Sequence, residues 1–326
     1  MSVNLGDLKE KYKVHAETLE YVQIRSEANV KPYDELSVEE AREASLKVVQ
    51  LFAGNIEFDG TVKEFPVPSI HCTDGIPVTV YRSKTCDSVV APSVFVYFHG
   101  GGNVIGSRKA VDVICRYFSD KAPCVVVNVE YRLAPEYKFP ANHEDAKSVL
   151  RWLKESLIFT GAVNESTIGV GGDSAGGRIA ATACHEVKNI SYQVLIYPNV
   201  DMRFDYDSVR EFENGPVLSK EQLDWFISHY LPESERENPR ASPILQPKFD
   251  HLPPALFIVA ELDPLRDMSY AYSEKLKKAG VPTTVFPVKG VTHGFFHLPG
   301  HFKDCCDRAH LKVANFIKTH SIDVRK

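Results

Sequence analysis

A serine flanked by glycines is the residue whose setting most clearly suggests chemistry. Gly172-Asp173-Ser174-Ala175-Gly176 follows the apolar stretch 168–171 and opens a stretch rich in small residues that runs to Val187. These patterns predict a strand, a sharp turn and a helix. A nucleophilic serine projects its hydroxyl from such a turn, and the residues two before and two after it must be small to avoid clashes. A tight packing turn without chemistry is the alternative, but the position between strand and helix favours Ser174 as a nucleophile.

A run of glycines supplies a second chemical feature. His99-Gly100-Gly101-Gly102 follows the apolar stretch Val94–Phe98. Consecutive glycines allow several backbone N–H groups to face one point, as an oxyanion hole requires. A flexible loop or an anion-binding nest would use the same residues. Nucleotide binding is disfavoured, because no G-x-G-x-x-G keeps its third glycine and no G-x-x-x-x-G-K is present.

An acid and a base for the serine are found after two later apolar stretches. Asp263 follows the stretch Ala255–Ala260, and His293 follows the stretch Thr283–Val288. A serine nucleophile needs a histidine to accept its proton and a carboxylate to orient that histidine, and the order Ser, Asp, His is one of the known chain orders. The sequence therefore predicts a triad of Ser174, Asp263 and His293.

Nearby acids and histidines compete for these two roles. Asp263 is preferred to Glu261 and Asp267 because it lies where the predicted strand opens into a turn. His293 is preferred to His297 and His301 because it comes first after its strand and is followed by a glycine.

The elements that must position these residues alternate between strand and helix. Apolar stretches without polar alternation are typical of strands buried on both faces, and helices between them indicate a mainly parallel sheet flanked by helices in an α/β fold. The predicted strands are 62–68, 76–81, 94–98, 125–129, 168–171, 192–197, 255–260 and 283–288, and the predicted core helices are 141–157, 175–187, 268–279 and 307–319.

Two segments, residues 1–56 and 201–247, do not follow this alternation. Ser37-Val38-Glu39-Glu40 is a capping box in the first, and Ser219-Lys220-Glu221-Gln222 begins an amphipathic helix in the second. A separate helical layer over the sheet is the natural inference.

Composition and charge exclude several classes of protein. In 326 residues, 44% hydrophobic and 25% charged content exclude disordered and fibrous architectures. A net charge of −5 disfavours nucleic acid and anionic membranes as partners. The segment 1–56 carries −3 and the segment 201–247 carries −5. If both lie at a pocket mouth, neutral or cationic substrates are favoured over anionic ones, whereas outward-facing acids would have no such effect.

Motifs that the sequence lacks bear on the cellular location of the protein and on whether it binds a metal or a cofactor. The N-terminus has no apolar signal region, and no window approaches 18 apolar residues, so we expect neither secretion nor a membrane span. Seven cysteines without a C-x-x-C pair indicate free thiols and a cytoplasmic location. Both partial H-E-x-x-H matches, at His143 and His185, lack the second histidine, so we expect no metal and no cofactor.

Five motifs together resemble the hormone-sensitive-lipase family of α/β-hydrolases, which includes bacterial family IV esterases and is similar to arylacetamide deacetylases and plant carboxylesterases. The resemblance runs from about residue 60 to the C-terminus. Its motifs are His99-Gly100-Gly101-Gly102, Tyr131-Arg132-Leu133-Ala134-Pro135-Glu136, Gly172-Asp173-Ser174-Ala175-Gly176-Gly177, Asp263-Pro264-Leu265-Arg266-Asp267 and His293-Gly294-Phe295.

The resemblance implies an α/β-hydrolase fold with a helical cap. Residues 57–200 and 248–326 would form the catalytic core, and residues 1–56 and 201–247 the cap over the active site. It also implies oxyanion donors at the backbone N–H groups of Gly101, Gly102 and Ala175, with His99, Gly100 and Asp173 as supporting motif residues.

These observations predict a serine carboxylesterase that hydrolyses small to medium apolar carboxylic esters through an acyl-enzyme on Ser174. An amidase or deacetylase acting on arylamides is the alternative within the same chemistry. A small-molecule-binding receptor with a vestigial triad is the alternative from another class, and the presence of His293 disfavours it. Asn103 and Arg178 depart from the family pattern near the expected substrate site, so substrate preference is left open, as is the oligomeric state.

Overall fold

The computed structural model describes residues 9–89, 92–156 and 167–321, and its eight strands form one sheet. The strands lie in the order β1-β2-β4-β3-β5-β6-β7-β8. Their bounds are β1 Gly60–Ser69, β2 Cys72–Ser83, β3 Val94–Phe98, β4 Val125–Val129, β5 Ile168–Asp173, β6 Tyr192–Ile196, β7 Ala255–Leu262 and β8 Thr283–Thr292.

Most of the sheet is parallel, as the apolar stretches predict. Every pairing from β4 through β3, β5, β6 and β7 to β8 is parallel. Only β2 runs the other way, antiparallel to both β1 and β4. Each predicted strand is present, and the α/β-hydrolase fold class is confirmed.

Nine α-helices have both ends within the described ranges, and five of them follow the strand–helix alternation. Their bounds are α1 Ala16–Glu27, α2 Val38–Phe52, α3 Asp112–Lys121, α4 Ala141–Ser156, α5 Ala175–Glu186, α6 Asp207–Glu211, α7 Lys220–Tyr230, α8 Arg266–Lys278 and α9 Lys303–His320. Helices α3, α4, α5 and α8 each connect two parallel strands, and α9 follows β8. Residue 157, the predicted last residue of α4, lies outside the described residues.

Burial on both faces of the sheet explains why its central strands are continuously apolar. All five residues of β3 are buried. Val94, Val96 and Phe98 pack into the core on one face, and Phe95 and Tyr97 pack into the core on the other. Because strand side chains alternate between faces, a strand covered on both sides needs apolar residues at every position.

The helices outside the alternation come from two segments that contact each other. Helix α7 packs on the short helical turn Tyr33–Glu35, and the rings of Tyr33 and Phe226 lie 5.8 Å apart. Helix α2 begins with the predicted capping box, since Ser37 Oγ accepts the Glu40 N–H and Glu40 Oε2 accepts the Ser37 N–H. Among all helices of the described chain, none has both the length and the apolar composition needed to cross a membrane.

Candidate active site

Ser174 lies on a strained turn between β5 and α5. Its backbone has φ +54° and ψ −119°, a conformation that costs free energy for a residue with a side chain. Gly172 and Gly176 permit the turn, because a Cβ at either would approach the Phe98 carbonyl oxygen to 2.3 or 2.0 Å. The end of β3 therefore packs directly against the serine turn, which is the physical reason for the glycines on either side.

The predicted acid and base meet this serine. His293 Nε2 lies 3.0 Å from Ser174 Oγ, and His293 Nδ1 lies 2.7 Å from Asp263 Oδ2. Asp263 is fully buried, and its other oxygen accepts the Leu265 N–H at 2.8 Å. His293 directly follows β8, and Asp263 directly follows β7, so both groups lie at the carboxyl edge of the parallel sheet.

The competing acids and histidines are engaged elsewhere. Glu261 accepts hydrogen bonds from Lys289 Nζ and from the Gly290 N–H, both on β8. Asp267 accepts the Ser208 N–H at 2.8 Å. His301 bonds the carbonyl of Glu17 through Nε2 at 2.8 Å. His297 does line the cavity beside the triad, with Nδ1 3.9 Å from Asp173 Oδ2, and burial lowers the pKa of His297 below its ordinary value.

The glycine loop lies beside the serine turn with free donors. Gly101 and Gly102 have φ +117° and +60°, which is the left-handed region that favours glycine. Within the described chain, no protein acceptor takes the N–H groups of Gly101, Gly102 or Ala175. Ala175 is the first residue of α5, so its N–H also belongs to the positive end of that helix.

Buried polar groups hold the glycine loop against the serine turn. Asp173 Oδ1 accepts both the Gly100 N–H at 3.0 Å and the Tyr97 hydroxyl at 2.9 Å. The His99 ring stacks on Tyr131 at 4.4 Å, and the Tyr131 hydroxyl donates to the His99 carbonyl at 2.7 Å. His99, Gly100 and Asp173 thus support the loop. No sequence pattern predicts the contribution of Tyr97, since a buried tyrosine in an apolar strand gives no signal of its own.

A second polar chain joins the loop to helix α7. Asn103, with φ +65°, accepts a hydrogen bond from Asn142 Nδ2 at 2.8 Å, and Asn142 in turn accepts the Tyr230 hydroxyl at 3.0 Å. The Arg178 guanidinium is fully buried 4.7 Å from the Tyr230 ring centre, and burial lowers its pKa. Asn103 lines the cavity beside Ser174, whereas Arg178 does not, so only the first of these two departures from the family pattern lies in the cavity wall.

The cavity above Ser174 has one wall from the sheet edge and one from the helices outside the alternation. Of the six aromatic residues in 201–247, Phe204, Phe226 and Tyr230 line it. The other three pack elsewhere: Phe212 lies against Tyr12 and Arg266, Trp225 against His229, and Tyr206 donates to Asp201.

One cluster in the described chain brings metal-ligand atoms within 4.8 Å of one another, and it lies outside this cavity. It consists of His15, Asp304 and Cys305, between the start of α1 and the start of α9. None of the three lines the cavity above Ser174. All seven cysteines of the chain are free thiols.

Comparison with known proteins identifies a matching family model and similar enzymes. A family model described as the α/β hydrolase fold matches residues 95–297, which include the glycine loop and all three triad positions. The chain is 33% identical to the ethyl acetate hydrolase of Pseudomonas putida over 91% of its length and 94% of the relative's. It is 32% identical to an arylesterase of Saccharolobus solfataricus, over 87% of this chain and 92% of that one.

Solved structures agree with the sequence relatives. The chain is 33% identical to a hyperthermophilic esterase from the archaeon Pyrobaculum calidifontis, with a TM-score of 0.85 over 94% of this chain and 98% of that one. It is also 32% identical, with a TM-score of 0.86, to an ester hydrolase from the metagenome of Lake Arreo, over 94% of this chain and 99% of that one.

Proposed function

The chain belongs to the hormone-sensitive-lipase family of α/β-hydrolases, and from this premise we propose that Ser174, Asp263 and His293 are its catalytic triad. The activity itself is that of a carboxylic ester hydrolase. The observation that carries the assignment of the triad is the continuous hydrogen-bonded series from Ser174 Oγ through both nitrogens of His293 to Asp263.

The proposed reaction has two halves. Ser174 Oγ attacks the ester carbonyl carbon as its proton passes to His293 Nε2, 3.0 Å away. The tetrahedral intermediate collapses, the C–O bond to the alcohol breaks, and the imidazolium returns the proton to the leaving alcohol. Water, deprotonated by His293, then attacks the acyl-enzyme, and collapse of the second intermediate releases the carboxylic acid and restores Ser174.

The other groups stabilise charge during these steps. Asp263 is buried against His293 Nδ1, where it orients the imidazole and stabilises its protonated form. The N–H groups of Gly101, Gly102 and Ala175 would bind the oxyanion, since no protein acceptor in the described chain occupies them. A donor of this kind contributes about 3–4 kcal/mol of transition-state stabilisation.

Residues 1–56 and 201–247 form the proposed cap, over a core of residues 57–200 and 248–326. Two facts support this division. Residues of α1, α2 and α7 line the cavity opposite the triad, and these helices lie outside the alternation of strands and helices. A cap of this kind would separate the pocket from bulk solvent and shape it for a small-molecule ester.

Replacement of the nucleophile tests the proposal. We expect Ser174→Ala to lower kcat for p-nitrophenyl butyrate by at least about 10⁴-fold, because no other group would form the acyl-enzyme. Ser88→Ala, at an exposed serine, is the matched control and should leave kcat unchanged. A fluorophosphonate should label wild-type Ser174 and leave Ser174→Ala unlabelled. Near wild-type turnover by Ser174→Ala would refute the assignment.

A further inference from the structure

One corner of the cavity is polar, although most of its wall is apolar. Arg25, Tyr21, Tyr33 and Ser45 all line the cavity, and all four come from the first helical segment. We refer to these four residues as the polar corner. The neighbouring wall is made of aliphatic and aromatic side chains, among them Val48, Val49, Leu218, Leu223, Phe226 and Ile227.

The members of the polar corner contact one another. The Arg25 guanidinium lies 5.7 Å from the Tyr21 ring centre. Burial raises the pKa of Tyr21, and the Arg25 charge and hydrogen bond oppose that rise. Burial likewise raises the pKa of Tyr33, against the opposing charge of Arg25 and a hydrogen bond with Ser45. A guanidinium and two phenol hydroxyls, all hydrogen-bond donors, thus converge on one region of the cavity.

Arg25 has no carboxylate partner among the residues that the structure describes. Across residues 9–89, 92–156 and 167–321, no acidic side chain lies within ion-pair distance of its guanidinium. Of the acids in the described ranges, one lines the cavity: Asp173, which is 2% exposed and already accepts hydrogen bonds from the Tyr97 hydroxyl and the Gly100 N–H. A partly buried cation next to apolar surface is costly unless an anion meets it.

The acidic residues of the segments 1–56 and 201–247 do not offset the positive charge of Arg25 in the cavity. None of them lines the cavity in the described chain. Glu211 bonds Arg266, and Asp201 bonds Arg203 and Tyr206. Among the described residues, the acids behind the net charges of −3 and −5 therefore lie outside the cavity, and the permanently cationic side chain in its lining is that of Arg25. This distribution favours anionic over neutral substrates, the reverse of the ranking expected from net charge.

We propose that the esters hydrolysed at Ser174 carry a carboxylate at the end remote from the ester bond, and that the polar corner binds it. This inference rests on the proposed function, because it takes Ser174 as the site of hydrolysis. The planar fork of a guanidinium matches a carboxylate with two parallel hydrogen bonds, and hydroxyls of Tyr21 and Tyr33 would fill remaining acceptor positions. The apolar wall between the two ends would contact the hydrocarbon part of the substrate.

Matched pairs of esters test this proposal. On the acyl side, the pair is p-nitrophenyl hydrogen glutarate and p-nitrophenyl pentanoate. On the alcohol side, it is 4-carboxyphenyl acetate and 4-methylphenyl acetate. The readout is the ratio of kcat/KM for the anionic ester to kcat/KM for its neutral partner, after subtraction of the uncatalysed rate. Comparison of that ratio between wild type and variant removes the intrinsic reactivity of each ester.

In Arg25→Gln we expect the ratio to fall at least tenfold for one of the two pairs, mainly through a higher KM for the anionic ester. Arg210→Gln is the matched control, because Arg210 lies in the second helical segment, outside the cavity, and bonds Asp205 and Asp207. It should leave both ratios within twofold of wild type. Ratios that do not change in Arg25→Gln, or equal losses for both members of each pair, would overturn the proposal.

Two further variants keep the test decisive. Tyr33→Phe removes one hydroxyl without a change in charge, and we expect a threefold or greater fall in the same ratio. Arg25→Lys keeps the charge without the fork and should give a ratio between those of wild type and Arg25→Gln. If Arg25→Gln fails to fold, unchanged ratios in both of these variants overturn the proposal. Ser174→Ala on the same esters tests the proposed function separately, since activity there would refute the nucleophile whatever the ratios show.

Discussion

Two buried carboxylates flank the serine turn, and their partners give them different roles. Asp263 is oriented by the Leu265 N–H and faces His293. Asp173 accepts hydrogen bonds from the Gly100 N–H and the Tyr97 hydroxyl instead. The first can stabilise a charge that forms on the imidazole, and the second fixes the glycine loop beside Ser174. In the proposed mechanism, aspartate thus supports proton transfer at position 263 and fixes the backbone of the glycine loop at position 173.

Replacement of Asp263 by asparagine should separate the effect of the carboxylate on the His293 imidazole from the packing of the side chain at position 263. The amide would keep the shape of the side chain but lose the charge and favour the wrong tautomer of His293, so we expect Asp263→Asn to lower kcat by about 10³–10⁴-fold. KM for a short neutral ester should change little. The measurement is steady-state hydrolysis of p-nitrophenyl butyrate.

Glu261→Gln is the control, because Glu261 lies two residues away and bonds β8 rather than His293. It should retain wild-type kcat. Equal losses in the two variants would mean that damage to the β7–β8 edge, rather than the missing charge, explains the effect of Asp263→Asn.

The functional residues that belong to a local sequence motif can be predicted from the sequence. Contacts between residues that are far apart in the chain cannot. Ser174 can be predicted because the glycines on either side of it indicate a sharp turn. Asp263 and His293 can be predicted because each lies just after the end of a predicted strand. The pairing of Asn103 with Asn142 joins residues 39 positions apart, and no short-range pattern encodes it. The same holds for the meeting of Arg25 with Tyr33 across a turn in the first helical segment.

At the scale of elements, helix α2 is hydrogen-bonded to the loop that carries the proposed oxyanion donors. Arg42 donates from Nε to the Val104 carbonyl at 2.9 Å and from Nη2 to the Ala134 carbonyl at 3.0 Å. Its guanidinium also forms a two-pronged ion pair with Glu136, which lowers the pKa of Glu136 to about 2. One side chain of α2 therefore links the segment after the glycines to the segment after Tyr131.

We expect Arg42→Gln to lower kcat about tenfold, because the proposed oxyanion loop would lose its hydrogen bond from α2 at Val104, and the position of its N–H donors would be less well fixed. The free energy of unfolding should fall by about 1–3 kcal/mol, as for loss of charged hydrogen bonds. Both are measured on one preparation, by ester hydrolysis and by urea unfolding.

Arg116→Gln is the matched control, since Arg116 forms an i,i+4 ion pair with Asp112 on α3, outside the cavity. Its kcat should equal that of wild type. A kcat for Arg42→Gln that also equals wild type would show that the loop holds its geometry without α2.

Elements with strong local patterns can be predicted, and those without them cannot. The continuously apolar strands β3 and β4 are evident from the sequence, and so is α2 through its capping box. Helix α3 is absent from the sequence-based prediction, although the apolar residues Val111, Ile114 and Phe118 recur at helical spacing. It follows directly on the short helical turn Arg108–Val111 and has no side-chain cap, so no start signal marks it, and its burial against β2 and β4 supplies the stability instead.

At the scale of the whole molecule, histidines buried on both sides of the sheet couple folding to pH. Burial lowers the pKa of His310, on α9, to about 4 and that of His185, on α5, to about 4, and it also lowers the pKa of His143 on α4. The ordinary value is 6.5. Below pH 6.5 these histidines bind protons in the unfolded chain but stay neutral in the folded chain. The free energy of unfolding therefore falls as the pH drops from about 6.5 towards 4.

His310 gives the sharpest test of this coupling, because it is 2% exposed and its Nε2 lies 2.8 Å from the Phe296 carbonyl oxygen. At pH 5 such a histidine costs about 2 kcal/mol of stability relative to pH 7.5. We expect His310→Gln, whose amide can still donate to that carbonyl, to lose that much less between the two pH values in urea unfolding. His229→Gln, at a partly exposed histidine on α7, should keep the wild-type difference. An identical pH dependence in His310→Gln and wild type would show that protonation of the unfolded state at this position does not limit the acid stability of the fold.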